Sequence, residues 1–209
     1  MKRAIPFYLI LLLGLPSLVP AKEIILSSTM RKQLNTFFSN FSEAWVPPFQ
    51  KGKMPNSTLI QFGIMHNVIN NRKLIHELRD GNGALTRQYV EQSVKKYFGN
   101  AKIVHGTIPG YRYTNGQYTF PLGDGEELRF AQLTKLVDLG NQHFRASVNE
   151  YIAPNHFEDV HALENEWKRL PEDERPILRA IMSATINKVT EKGKSRYILI
   201  EYVQVKTFE

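Results

Sequence analysis

The spacing of apolar residues changes at Gly99, and this change restricts the fold more than any other feature of the chain. Before it they recur at helical steps; after it they alternate, or fall in runs broken by Gly-containing turns. Met30, Leu34, Phe37, Phe38 and Phe41 share one face of a helix over Ser28–Glu43. Ser27 or Ser28 offers an oxygen to its first amides, and the Pro47-Pro48 pair bars continuation. A second helix starts at Asn56 as cap and carries Leu59, Phe62, Met65 and Ile69 on a stripe that runs to Asn70-Asn71. A third lies between Thr86, a cap, and Gly99, a left-handed stop, with Tyr89, Val90, Val94, Tyr97 and Phe98 on its apolar side.

Beyond Gly99, Lys102–His105 and Tyr111–Tyr113 read as short strands, and Asn115-Gly116 is a hairpin turn needing positive φ at both centres. A longer pair, Glu127–Leu139 and His143–Ile152, meets across Gly140-Asn141-Gln142. Phe144, Ala146, Val148 and Glu150 are expected on one face, with Arg145, Ser147, Asn149 and Tyr151 on the other. A last pair, Leu178–Val189 and Arg196–Val205, meets across Lys192-Gly193-Lys194. There Leu178, Ala180, Met182, Ala184 and Ile186 alternate, which favours strand over a helix through the same span. The acidic insert Phe157–Arg175 reads as a polar surface excursion with one helical turn around Leu163–Arg169. Helices followed by strands predict an α+β fold, with N-terminal helices packed on one face of a strongly curved antiparallel sheet. One domain is expected over residues 22–209.

The helical segments Leu34-Asn-Thr-Phe-Phe-Ser-Asn-Phe-Ser-Glu43 and Val94-Lys-Lys-Tyr-Phe-Gly99, followed by long paired strands, resemble uncharacterised bacterial exported proteins. The order of elements over 28–205 is similar to that of the cone-shaped NTF2-like (cystatin-related) superfamily. Three leading helices, extra early strands and the acidic insert depart from its usual plan. The resemblance implies a cone that serves isomerase-type enzymes and non-enzymatic binding modules alike. It transfers no site residue, because the superfamily has no universal catalytic set.

Residues 1–21 have the layout of a secretory signal peptide. Lys2 and Arg3 precede an uncharged apolar run, Ile5–Val19, and Val19-Pro20-Ala21 supplies small residues ahead of a cut before Lys22. A membrane-spanning helix needs roughly 20 apolar residues, more than this run contains. The expected destination is the periplasm or the outside of the cell, with no stable membrane span after cleavage. The chain has no Cys, which excludes disulfides, Cys-ligated metals, thiol catalysis and a lipid anchor on Cys. Removing the leader lowers the formal net charge from +7 to +5. The basic groups are scattered as Arg31-Lys32, Lys51/Lys53, Arg72-Lys73, Lys95-Lys96 and Lys192/Lys194/Arg196, which reads as solvated faces unless the fold makes them converge. No reading motif accompanies them, so nucleic acid is not an expected partner.

Few side chains suggest chemistry. Asp80-Gly-Asn-Gly83 matches the centre of a calcium loop, but Leu78 and Tyr89 stand where its first and last ligands belong, so a turn feeding the Thr86 cap is expected. His156, Glu158, Asp159, His161 and Glu164 contain zinc-type donors without a His-Glu-x-x-His spacing, and a solvated loop is expected. For acid–base work in a cone, His66, His105, Tyr111 and Asp138 are the residues to inspect. Tyr111, Tyr113, Tyr118 and Phe120 share a hairpin face that suits cross-strand packing or stacking on a sugar. Nucleophile and phosphate-cradle motifs are absent. No catalytic residue, metal or cofactor is expected. The expected role is a non-catalytic exported module binding a small molecule, a glycan or an envelope protein. The alternative is an acid–base enzyme, isomerase- or hydrolase-like, with a motif-less pocket in the sheet.

Overall fold

The computed structural model describes residues 21–123 and 127–208, so the expected leader lies, up to residue 20, outside the described residues. In chain order the elements are β1 (Lys22–Glu23), α1 (Ser28–Glu43), α2 (Asn56–Asn70), β2 (His76–Glu77), β3 (Asn82–Thr86), α3 (Arg87–Phe98), β4 (Arg112–Thr114) and β5 (Gln117–Pro121). Then come β6 (Glu127–Gly140), β7 (His143–Pro154), α4 (Glu164–Trp167), β8 (Ile177–Glu191) and β9 (Lys194–Thr207). The fold is α+β. A five-stranded antiparallel sheet has the order β1-β6-β7-β8-β9, and a separate four-stranded one the order β2-β3-β5-β4.

Helix α1 joins the large sheet along the edge of β6 that β7 leaves open. Strand β1 covers only the end of that edge, pairing Lys22 with Asp138 and Glu23 with Val137. Further along, polar side chains four residues apart on α1 take the place of a strand. Arg31 Nη1 donates to the Leu133 carbonyl at 2.9 Å, and Asn35 Oδ1 accepts from the Leu133 N–H at 2.8 Å. Ser39 Oγ accepts from the Ala131 N–H at 3.0 Å and donates to the Ala131 carbonyl at 3.3 Å. Asn35 and Ser39 are buried, so these bonds satisfy main-chain groups that water does not reach.

The apolar stripe of α1 faces the main core. Phe41 lies within ring-contact distance of Phe62, Tyr97 and Phe98, at 5.5, 5.8 and 5.5 Å between centroids. Helix α2 is walled on both sides: Leu59 and Phe62 belong to the main core, while Ile60 and Ile64 join Leu85, Val90, Tyr118 and Phe120 in a second core under the small sheet. Such a helix shows no clean stripe, and Ile69, expected on one, is instead exposed. Gly63 allows α3 its close approach, since a Cβ there would stand 2.9 Å from the Val90 carbonyl oxygen.

Several expectations need correction. The early hairpin, β4–β5, belongs to the small sheet with β2 and β3 and not to the sheet of the two long pairs. Residues Lys102–His105 form no strand; their polar groups are engaged elsewhere, as with Val104, which exchanges two bonds with the Asn56 side chain at 2.7 and 2.8 Å. Asn56 thus tethers a loop and Pro55 holds the cap position, while Thr86 makes no side-chain cap bond. The insert is not wholly polar: Phe157, Ala162 and Trp167 bury against Phe130, Tyr151 and Ala153 as a third core on the other face of the large sheet. Leu178 joins that face because Arg179 is an extra residue between the Glu150–Ala180 and Tyr151–Leu178 pairs. The hairpin turns stand as expected, with positive φ at Asn115-Gly116, Gly140-Asn141-Gln142 and Lys192-Gly193.

Replacing Asn35 by Ala leaves the buried Leu133 N–H without a partner and should lower stability by about 2 kcal/mol. Thr36→Ala, one position along on the exposed face, should stay within about 0.5 kcal/mol of the parent. Urea unfolding of both variants checks this.

Candidate functional site

The end of α1 carries the least expected geometry in the molecule. The Val46 N–H reaches back to the Phe41 carbonyl at 3.0 Å and the Trp45 N–H to that of Ser42 at 3.1 Å. This double closure places the first residue past the Ala44 cap in the left-handed region, a position normally taken by Gly. Here it is Trp45, at φ 55°, at a cost of roughly 1 kcal/mol. Trp45 is 56% exposed, so core packing does not compensate the strain.

Three strands supply the rest of the site. Arg129 of β6 lays its guanidinium on the indole, with Cζ 3.4 Å from the ring centroid. Its Nε is buried and has no hydrogen-bond partner among the described residues. Glu150 of β7 accepts at Oε1 from Ser42 Oγ at 3.0 Å and from the Tyr202 hydroxyl at 2.5 Å. Burial and the neighbouring Glu150 push the Tyr202 hydroxyl well above its usual range, so it stays a donor. The extra residue of β8, Arg179, turns into the same place and donates through Nη1 to the Phe208 carbonyl at 2.9 Å. Ser42, Trp45, Arg129, Glu150 and Arg179 line a cleft of about 130 Å³, with Tyr202 buried behind Glu150. Two guanidinium forks, a carboxylate, a hydroxyl and an aromatic face suit a small planar ligand that carries an acid group.

A second cluster lies where α1, α2 and α3 meet. His66 is buried, stacked on Phe62 at 5.7 Å and edge-on to Tyr97 at 4.8 Å. Its Nδ1 lies 3.3 Å from Asn70 Nδ2. Burial pushes the Glu43 carboxyl up to about 7, against a smaller opposing effect of a hydrogen bond from Asn70. Burial, helped by Lys96, pushes His66 down to about 4, and burial with Glu43 raises Tyr97 to about 12. Glu43 was not among the residues the sequence singled out.

The remaining candidates are placed by the following contacts. His105 bridges the Tyr118 hydroxyl at Nδ1 and Glu91 at Nε2, both at 2.9 Å; a proton on Nε2 satisfies both contacts. Tyr113 and Tyr118 pack against each other at 4.7 Å, and Tyr111 against Phe120 at 5.9 Å, so this face is spent on cross-strand packing. Asp80 closes the β2–β3 turn by accepting from the Asn82 N–H at 3.2 Å, with a strand following and not a helix. Asp138 accepts from the Gly140 N–H at 2.7 Å at the bend of β6. In the insert, Asp159 accepts from the Ala162 N–H at 3.1 Å, and Glu164 bonds Tyr151. The His161 Nδ1 is buried without a hydrogen-bond partner among the described residues, while His156 is exposed. Among the described residues no three His, Asp or Glu side chains converge as metal ligands.

The residues that do converge, Ser42, Trp45, Arg129, Glu150 and Arg179, come from four separate segments, and none carries a local motif. The usable signal was a helix ending on Ala44-Trp45 where a Gly is usual. Comparison with family models, with curated proteins and with solved structures gives no match.

The Glu43–His66 cluster sets a pH dependence. Glu43 sits above its ordinary value in the fold, so its contribution falls as pH rises from about 4.5 to about 7. His66 sits below its own, so its contribution falls as pH drops from about 6.5 to about 4. Between pH 4.5 and 6.5 the two slopes oppose each other. Glu43→Gln should therefore stabilise the fold by about 2 kcal/mol at pH 8, by nothing below pH 4.5, and should expose the acid-labile slope of His66. Urea midpoints at pH 4.5, 6 and 8 measure it.

Proposed function

We propose that this is an exported binding protein without catalytic activity, whose ligand is held in the Trp45 cleft. Residues 1–21 direct it to the periplasm or beyond and are removed. The remainder is one domain of the NTF2-like cone type, a reading supported by helices on one face of the large sheet and by the register shifts in β6, β8 and β9, which bend strands. No helix among the described residues is long and apolar enough to cross a membrane.

The observation that carries the binding role is Trp45. A positive φ at an exposed tryptophan costs stability where it stands, and contact with a ligand, beside the arginine laid on the ring, is what it gains. The ligand class that fits is a small ring bearing a carboxylate, such as a sugar acid, with the acid on Arg129 and Arg179. Trp167, the other tryptophan of the two in the chain, is buried in the third core, so a ligand-dependent change in fluorescence reports on Trp45. Titration with glucuronate should quench saturably at millimolar concentration, and glucose should not. Trp45→Gly should abolish the response while raising stability by about 1 kcal/mol, and Arg129→Gln should abolish it too. A flat titration across a panel of sugar acids, or a Trp45→Gly variant less stable than the parent, would refute this assignment.

A second reading, an acid–base enzyme, draws on the Glu43 carboxyl. Held near 7 beside a neutral imidazole, it is matched to proton transfer at neutral pH. Turnover in a broad hydrolase and isomerase screen that disappears in Glu43→Gln, with folding intact, would select it over the binding role.

A further inference from the structure

Three clefts adjoin along one side of the molecule. The first, about 430 Å³, is walled by Phe49, Met54, Leu59, Phe98 and Leu199. It shares Ala101 and Lys102 with a second of about 440 Å³. That one shares Lys95 with a third of about 760 Å³ at the β8–β9 turn. The result is a trench that is apolar at one end and basic along the rest.

Part of the scattered basic groups, from three of the five clusters, meets here, while Arg31-Lys32 and Arg72-Lys73 lie elsewhere. Lys51, Lys102, Lys95, Lys192 and Lys194 line the trench, and none of them forms an ion pair among the described residues. The two acids that line it are already occupied. Glu91 bonds His105 at 2.9 Å and Glu191 bonds Arg196 at 3.0 Å. Arg196 also donates to the Lys96 carbonyl at 2.7 Å, which docks the β8–β9 hairpin against the end of α3 and fixes the juxtaposition. The negative end of the α3 dipole accounts for Lys95 by itself. It does not account for Lys51, Lys102, Lys192 and Lys194, which lie outside that helix.

We propose that this trench binds an anionic amphiphile, its hydrocarbon tail in the Phe49–Leu199 end and its phosphate or carboxylate head on Lys102 and Lys95. The apolar cleft that would take the tail, about 430 Å³, is by itself in the range of small-ligand sites. Each methylene withdrawn from water there adds to affinity, and the unpaired lysines set the sign of the head. The site is separate from the Trp45 cleft, and the inference does not rest on the role proposed for that cleft.

Calorimetric titration of the protein with dodecyl phosphate, below its micelle concentration, tests it. Saturable binding of one molecule per chain is expected, with inorganic phosphate and dodecyl maltoside each at least about tenfold weaker. Lys95→Glu combined with Lys102→Glu should weaken dodecyl phosphate at least about tenfold, as should Met54→Asp at the partly exposed mouth. Lys22→Glu, outside the trench, and Trp45→Gly should leave it unchanged, so failure here and failure of the Trp45 assignment are told apart. Circular dichroism confirms that each variant is folded. The proposal is overturned if inorganic phosphate binds as well as dodecyl phosphate, if the maltoside does, or if the charge reversals have no effect. It is equally overturned if the protein binds phosphatidylglycerol vesicles but not the monomeric amphiphile.

Discussion

The structure depends on a helix that acts, at one edge, as a strand. Sheet edges present main-chain donors and acceptors in a row, and burial of that row without partners is expensive. At β6 the row is met by Arg31, Asn35 and Ser39 at a four-residue spacing that a helix presents on a single line. The same helix turns its phenylalanines to the core. Polar ridge and apolar stripe therefore fix the rotation of α1 together, and that rotation sets where the helix ends. Ser42 and Trp45 reach Glu150 and Arg129 because the ridge upstream is pinned.

Much of this architecture could be read in the residues. The α1 bounds, the Gly99 stop and the three tight turns follow from local rules that the fold does not override. What escaped reading depends on contacts distant in sequence. Strand β3 is only five residues and exists through its ladder with β5. Residues Lys102–His105 have strand-like composition, yet Asn56, Glu91 and Tyr118 claim their polar groups first. The bulge at Arg179 moves Leu178 to the opposite face, and no composition announces a bulge. The hydrophobic content of the insert, Phe157 and Trp167, was diluted by its charges until the third core gave it a destination. The candidate site was illegible for the same reason: its side chains meet only after β6, β7, β8 and α1 are assembled. His66 was found, since it sits on an apolar helix face, but its partner Glu43 reads as an ordinary surface residue at a helix end.

The helical layer carries two kinds of economy. Helix α2 serves two cores at once, with Gly63 and Asn67 holding α3 close; Asn67 Nδ2 bonds the Gly63 and Tyr89 carbonyls and Ser93 at 2.7, 3.2 and 2.8 Å. Nearby, Glu43 and His66 are desolvated with opposite consequences for their charge. In mildly acidic solution both are neutral in the fold, whereas both would be charged in the open chain. The proton gained by one on folding offsets the proton lost by the other.

Unlike the β6 side, the far flank of the large sheet is only partly covered. Phe49 bonds both main-chain groups of Tyr202, at 2.6 and 2.9 Å, and shields the middle of β9. Past that point Val203 and Val205 face outward on the last strand. Val203 and Val205 thus offer a short apolar stretch for strand templating on this edge, flanked by Lys206, whose charge opposes stacking of like copies.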